Sequence, residues 1–296
     1  MSGVFRIPLQ GLAQVNQSPS PDPATRESAA GRAILCVPES LDASQPVEVL
    51  LHFHGHNVGL RQRIASNLAD AGTVHDVLMD QIESQLSSSG RRMIAILPQG
   101  TTTSGFSNGT TQFDCNSCIT EVLNAALSAG VWSSVPTVSR VVLSAHSGGG
   151  GFLSVLASQS GQPHFPTPLA AMFLFEAING VNELASQTAF IKSKLNADLQ
   201  RLKGSSASDQ AQYLASSFRF RGVYNSQDPT YQANYPPLQQ SIAQWFSSNA
   251  AAIGGTGSDT YKALVANYVI VKPSPFVQHD GILGQGNLGQ ALAMLP

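Results

Sequence analysis

The sequence predicts an α/β fold, with a mostly parallel central sheet and helices on both faces. Three observations carry this. Short continuous apolar segments, such as Met93–Leu97, Val138–Leu143 and Ala170–Phe175, alternate with segments of helical spacing. That is the pattern of strands buried on both faces and joined by crossover helices. At residues 139–156 an apolar strand runs through Ala145-His146-Ser147-Gly148-Gly149-Gly150 directly into a segment with an apolar helical face. Finally, 296 residues with 42% apolar content suffice for one large α/β domain with a full core.

Each element follows from its local pattern. Val4–Leu9 reads as a first strand, and residues 16–30, rich in Ser, Pro and Ala, read as a loop. Arg32–Val37 and Val47–Phe53 are two further strands, and helical spacing runs from Arg61 to about Ser87. After the strand Met93–Leu97 comes a Thr/Ser/Gly loop, Gly100–Asn108, then a helix over Cys118–Ala129. Val138–Leu143 precedes the Ser147 turn, and Ala170–Phe175 is the sixth strand. Residues 181–216 are helical and polar, with Phe190, Ile191, Leu195, Leu199 and Leu202 to one side. Phe218–Tyr224 and Tyr268–Val271 close the set of strands, and Gln239–Ser247 and Asn287–Met294 are the last helices. No internal repeat is visible.

Composition narrows the class of protein. A net charge of -2 gives no electrostatic case for nucleic acid or an anionic membrane, and no apolar run reaches transmembrane length. Charged residues are only 11%, a surface that suits an exported bacterial protein, soluble and either secreted or periplasmic. The first nine residues lack the apolar core of a signal peptide, so export would require a signal outside this chain. Cys115 and Cys118 form a C-x-x-C at a helix start. A helix N-terminus favours a thiolate, so redox chemistry is one reading, and a local disulfide or two thiols is the plainer one. Cys36 lies in an apolar strand and reads as core.

The turn at Ser147 carries the chemistry. A serine on a sharp strand-to-helix turn needs very small residues two positions before and after it, and Ala145 and Gly149 supply them. The turn holds the hydroxyl up at the sheet edge and leaves the Gly148 N–H at a helix start, where an oxyanion can be held. A phosphate-binding glycine loop is disfavoured, because no lysine sits at P-loop spacing.

With these residues the chain resembles the α/β-hydrolase fold superfamily, serine esterase- or lipase-like, over nearly its whole length. The pattern Gly-x-Ser-x-Gly is met with Ala145 for the first glycine. The stretch Leu50-Leu51-His52-Phe53-His54-Gly55-His56 adds the His-Gly pair that, in this family, opens the loop after the third strand. The resemblance implies a second oxyanion N–H at His56 or Gly55, with His56 preferred. It implies His279, after the last strand and before the last helix, as the base that Ser147 requires. For the acid that orients the histidine two positions stay open. Asp228 follows the seventh strand, the commonest place in the family, and also fits a turn before Pro229. Glu176 ends the sixth strand in Met172-Phe173-Leu174-Phe175-Glu176-Ala177-Ile178, where a lone carboxylate is costly unless paired, and it is favoured.

The same resemblance implies one domain over 1–296, with a small helical cap or lid inserted at 177–216, and no metal or organic cofactor. Phe106, in the loop after the fourth strand, is the candidate wall of a substrate pocket. The implied activity is hydrolysis of a small-molecule or polymeric ester through an acyl-enzyme. Amidase, peptidase or acyltransferase chemistry on the same triad, and a non-catalytic binding member of the fold, are the alternatives. His52, His54 and His56 alternate as metal ligands on one strand face could, but the pattern lacks the aspartate and the later histidines of a binuclear site. Oligomeric state is not legible.

Overall fold

A computed structural model describes residues 3–8, 32–38, 41–42, 44–56, 81–100, 104–106, 113–225, 227–273, 278–284 and 286–296. The loop expected at 16–30 and most of the helix expected from Arg61 lie outside these residues.

The strands are β1 (Gly3–Pro8), β2 (Arg32–Val37), β3 (Val47–Phe53), β4 (Met93–Pro98), β5 (Val138–His146), β6 (Leu169–Phe175), β7 (Arg219–Val223) and β8 (Tyr268–Val271). They form one eight-stranded sheet in the order β1-β2-β4-β3-β5-β6-β7-β8. β1–β2 and β2–β4 pair antiparallel, and every later neighbour pair is parallel. The described helices are α1 (Ile82–Ser88), α2 (Cys115–Ser128), α3 (Gly149–Ser158), α4 (Val181–Leu202), α5 (Ala207–Ser216), α6 (Pro229–Asn249), α7 (Asp259–Ala266) and α8 (Asn287–Leu292).

Period-two alternation explains why the strands read as continuous apolar runs. On β3, Val49, Leu51 and Phe53 enter one core with α2, α3, α4 and α6, while Leu50 enters the other with α1 and α8. On β6, Met172 and Leu174 face the first core, and Ala171, Phe173 and Phe175 the second. Both faces are covered, so both are largely apolar. No helix among the described residues is long and apolar enough to cross a membrane.

Two helical expectations change, and one helix is additional. The stretch 181–216 is two helices, because the chain leaves helical geometry at Lys203 and restarts where Ser206 caps Asp209 N–H. The helix expected at Gln239 begins ten residues earlier, at Pro229, and runs through Pro236 and Pro237. Both prolines are exposed, as are Gln232 and Ala233 four residues before them, so the two lost backbone bonds fall on the solvent side. Helix α7 was not expected; Ser258 caps it, accepting from Tyr261 N–H.

Strand order also fixes where a ligand can sit. From β3 the chain goes outward to β4, then crosses back to β5 on the other side of β3. The crevice beyond the carboxyl ends of β3 and β5 is therefore the switch point of the sheet, where ligands of open α/β sheets bind.

Candidate active site

β5, β6 and β7 end level, and β3 ends one register position earlier. Phe53 pairs with Ala145, His146 with Phe175, and Phe175 with Val223. Ser147, Glu176 and Tyr224 thus emerge side by side at one edge, with His54 one register position behind them. Ser147 turns with φ 49° and Glu176 with φ 44°, the left-handed region that a β-carbon disfavours. Backbone bonds hold both turns, Ser147 N–H to Phe175 O at 3.1 Å and Glu176 N–H to Val223 O at 2.8 Å.

The small residues around Ser147 are required by close approach. A β-carbon on Gly149 would strike the Phe53 and His54 carbonyls, and one on Gly150 would strike the Ala177 carbonyl. On Gly55 it would lie 2.9 Å from Ser147 Cβ. The loop after β3 therefore lies directly against the serine, with Gly55 and His56 beside Gly148 at the start of α3.

His279, in a short 3₁₀ turn His279–Gly281, reaches the serine from the far end of the chain. Its Nε2 lies 2.8 Å from Ser147 Oγ and its Nδ1 2.5 Å from Glu176 Oε2. The Glu176 side chain is fully buried, and its second oxygen accepts the backbone N–H of Asn225. Asp228 is used differently: its carboxylate caps α6, accepting Thr230 N–H at 2.8 Å. The structure thus joins Ser147, His279 and Glu176 in one hydrogen-bond path and places Asp228 at a helix cap.

The histidines after β3 have other partners. Gly100 N–H donates to His54 Nε2 at 2.9 Å, so the proton lies on Nδ1, which donates to Gly55 O at 2.7 Å. His54 is therefore a neutral strut tying the loop after β4 to the loop after β3. His52 Nδ1 lies 3.0 Å from Ser144 Oγ, and burial, reinforced by His54, pushes its pKa down to about 3. His56 is exposed, and its ring lies over Gly148. Phe106 is 1% exposed and sits in an aromatic cluster with Phe53, Phe113 and the half-buried Phe152. Cys115 and Cys118 are free and buried, and burial raises both thiols well above their usual range, the reverse of what a reactive pair needs.

Several residues at the site were missed in the sequence. Tyr231 stacks on the His279 ring, centroids 5.3 Å apart and planes 14° apart. Burial raises its hydroxyl's pKa, opposed by a hydrogen bond with Ser147, so it stays protonated. The hydroxyl donates to Asn179 Oδ1 at 3.2 Å, and Asn179 Nδ2 donates to Ser147 O at 3.0 Å. His146 Nε2–H donates to the His279 carbonyl at 3.1 Å, fixing the backbone that carries the base. Only the Asp-Pro helix start hinted at Tyr231; the others carry no spacing signal.

The sheet order, the serine turn and the chain order Ser147, Glu176, His279 together make this an α/β-hydrolase fold. No protein-family model matches the chain, and no curated protein matches it. Solved structures do. A thermostable esterase is 14% identical at a TM-score of 0.41, over 88% of this chain but only 58% of its own. A dienelactone hydrolase-like promiscuous phosphotriesterase from metagenomic libraries is 11% identical at 0.43, over 99% and 98%. A serine-to-alanine mutant of the feruloyl esterase module from Clostridium thermocellum, complexed with sinapinate, is 12% identical at 0.45, over 100% and 95%.

Proposed function

We propose that this chain is a serine carboxylester hydrolase that works through an acyl-enzyme. The observation that carries the reading is the continuous path from Ser147 Oγ through both ring nitrogens of His279 to the buried Glu176. Geometry of this kind does one thing well. His279 Nε2 takes the Ser147 proton as Oγ attacks the ester carbonyl, and Glu176 holds the tautomer and stabilises the imidazolium. The oxyanion lies against the N–H of Gly148 and that of His56 or Gly55. Protonated His279 then returns its proton to the leaving alcohol, and water, activated by the same base, releases the acid.

The surrounding residues take supporting roles. Tyr231 and His146 fix the plane and height of the imidazole. Phe106 backs the acyl pocket through Phe152, which lies 5.1 Å from it, centroid to centroid. The insertion at 177–216 serves as a fixed wall, because Phe190, Ile191, Leu195 and Leu202 are built into the main core. Its contribution to the rim is Asn179 and Glu183, whose Oε2 accepts Asn179 N–H at 2.6 Å.

Rapid-mixing kinetics with p-nitrophenyl acetate test the reading, beside a panel of longer esters and amides. A burst of p-nitrophenolate equal to the enzyme present, abolished in Ser147→Ala, is expected. Linear release with no burst, and full activity in a folded Ser147→Ala, would contradict it.

A further inference from the structure

The chain returns from the loop after β4 at Ser104-Gly105-Phe106, and Ser104 is built at a cost. It is 4% exposed, yet its hydroxyl has no hydrogen-bond partner among the described residues. A buried polar group left unpaired is costly, because its desolvation is not repaid by a new bond. Its backbone has φ 58°, again in the left-handed region. Strain of this kind persists where the surroundings force it, and it clusters at working sites. Among the described residues, Ser147 and Glu176 share that conformation, and Gln81 is the one further non-glycine that does. A glycine at 104 would relieve the backbone and remove the orphan hydroxyl together.

The two costs aim the hydroxyl at one place. Gly148 follows the nucleophile, and a β-carbon there would lie 2.9 Å from Ser104 Oγ and inside the His56 ring. A side chain at 148 would fill this hollow; glycine leaves it to the Ser104 hydroxyl and the His56 edge. The loop is anchored for the purpose. Gly100 N–H is held by His54, the strut that also binds Gly55 O, and a β-carbon on Gly100 would meet the Phe106 ring at 3.0 Å. The loops after β3 and β4 thus converge on Gly148 as one unit.

We infer that Ser104 is a further catalytic residue, its hydroxyl donating a third hydrogen bond to the oxyanion of the tetrahedral intermediate. This rests on the serine hydrolase reading of Ser147. As Ser147 Oγ bonds to the carbonyl carbon, the π pair moves onto the carbonyl oxygen and the serine proton goes to His279. The Ser104 O–H donates to that oxygen without losing its proton. When the intermediate collapses the π bond re-forms, the bond to the leaving alcohol breaks, and the alcohol takes the His279 proton. With no acceptor among the described residues the hydroxyl is available to the substrate oxygen, and its bond strengthens as negative charge develops there, which is how a donor favours the transition state over the ground state.

The test compares wild type with Ser104→Ala, Ser104→Gly and Ser104→Thr. It measures kcat and KM on p-nitrophenyl acetate, the inhibition constant of an aryl trifluoromethyl ketone, which forms a tetrahedral adduct, and the melting temperature. Losing one side-chain oxyanion donor costs about 10²-fold or more in kcat in a comparable site. Ser104→Ala and Ser104→Gly should lose about that in kcat and weaken ketone binding in parallel, with KM within twofold, and Ser104→Thr should recover most of both. The melting temperature should hold or rise, since an unpaired group is removed. Unchanged kcat and ketone affinity in a folded variant would overturn the inference, as would a change confined to KM. If wild type gives neither ester turnover nor ketone inhibition, the serine hydrolase reading itself fails and takes this inference with it.

Discussion

At the scale of single residues, the site separates two carboxylates that look alike in sequence. Glu176 spends both oxygens on the machinery, one on His279 Nδ1 and one on Asn225 N–H. Asp228 spends one on a helix cap. Removing the acid of a related triad costs about 10⁴ in kcat. Glu176→Gln should therefore lower kcat on p-nitrophenyl acetate by roughly 10³–10⁴, and Asp228→Asn, which still caps, should leave it near wild type. Steady-state kinetics on the two variants decides, and the opposite pattern would move the acid to Asp228. Residue identity alone could not separate them. A carboxylate ending an apolar strand announced that it needed a partner, but nothing local said which, since His279 lies 103 residues away in the chain.

His52 makes a second residue-scale prediction, on stability. Its ordinary pKa of 6.5 is pushed down to about 3 by burial. The native state therefore refuses a proton that the unfolded chain accepts. The stability tied to neutral His52 is fully present above pH 6.5 and is lost as pH falls toward about 3. The slope approaches about 1.4 kcal/mol per pH unit in that window. Urea unfolding between pH 6.5 and 4.5 should give a shallower pH dependence for His52→Leu, by about one proton. An identical slope in the two proteins would show that His52 is protonated in the fold.

At the scale of elements, the serine turn works because β5 and β6 end level, β3 ends one position earlier, and the helix that follows can approach them. Gly150 is where that approach is tightest, against the Ala177 carbonyl. Gly150→Ala should destabilise by about 3 kcal/mol or more, since backbone cannot yield as a side chain does. Gly161→Ala, with open space around it, should change little. Thermal unfolding of the pair checks this, and equal melting temperatures would contradict the packing described. Elements were legible to the extent that their signal was local. The strands showed because both faces are apolar, whereas the helix expected from Cys118 starts at Cys115, capped by Asp114, which accepts Ser117 N–H. The helix expected from Gln239 lacks the first ten residues of α6, among them Pro236 and Pro237; their exposure, a tertiary fact, lets the helix pass through them. Tyr231, on the unread first turns of α6, was lost with them.

At the scale of the whole molecule, the two ends of the sheet do different work. The carboxyl edge holds the site. At the opposite end Glu48, at the start of β3, takes Arg91 in a two-pronged pair, both contacts 2.6 Å, and Arg140 at 2.6 Å. These arginines also reach the last residues, Arg91 to Leu295 O at 3.1 Å and Arg140 to Pro296 O at 2.9 Å. Removing one partner of a buried pair costs about 3–5 kcal/mol, less where, as for Arg140, a side chain is part exposed. Glu48→Ala should thus lower the melting temperature by several degrees with kcat and KM unchanged. A loss of kcat in the folded variant would mean that the two ends are coupled. The fold class was legible from alternation and from one turn, because a parallel sheet stamps a two-sided apolar pattern on each strand. The convergence on Gly148 was not, because it joins loops from β3, β4 and β5 that share no sequence pattern.

The central claim is that Ser147 is a nucleophile activated by His279. Intact-mass and peptide-mapping spectrometry after a brief exposure to a fluorophosphonate tests it most directly. The expected result is one covalent phosphonyl adduct, on Ser147, formed fast in wild type, slowed by orders of magnitude in His279→Ala, and absent in Ser147→Ala. An unmodified wild-type protein, or an adduct elsewhere that forms equally well in His279→Ala, would contradict the claim.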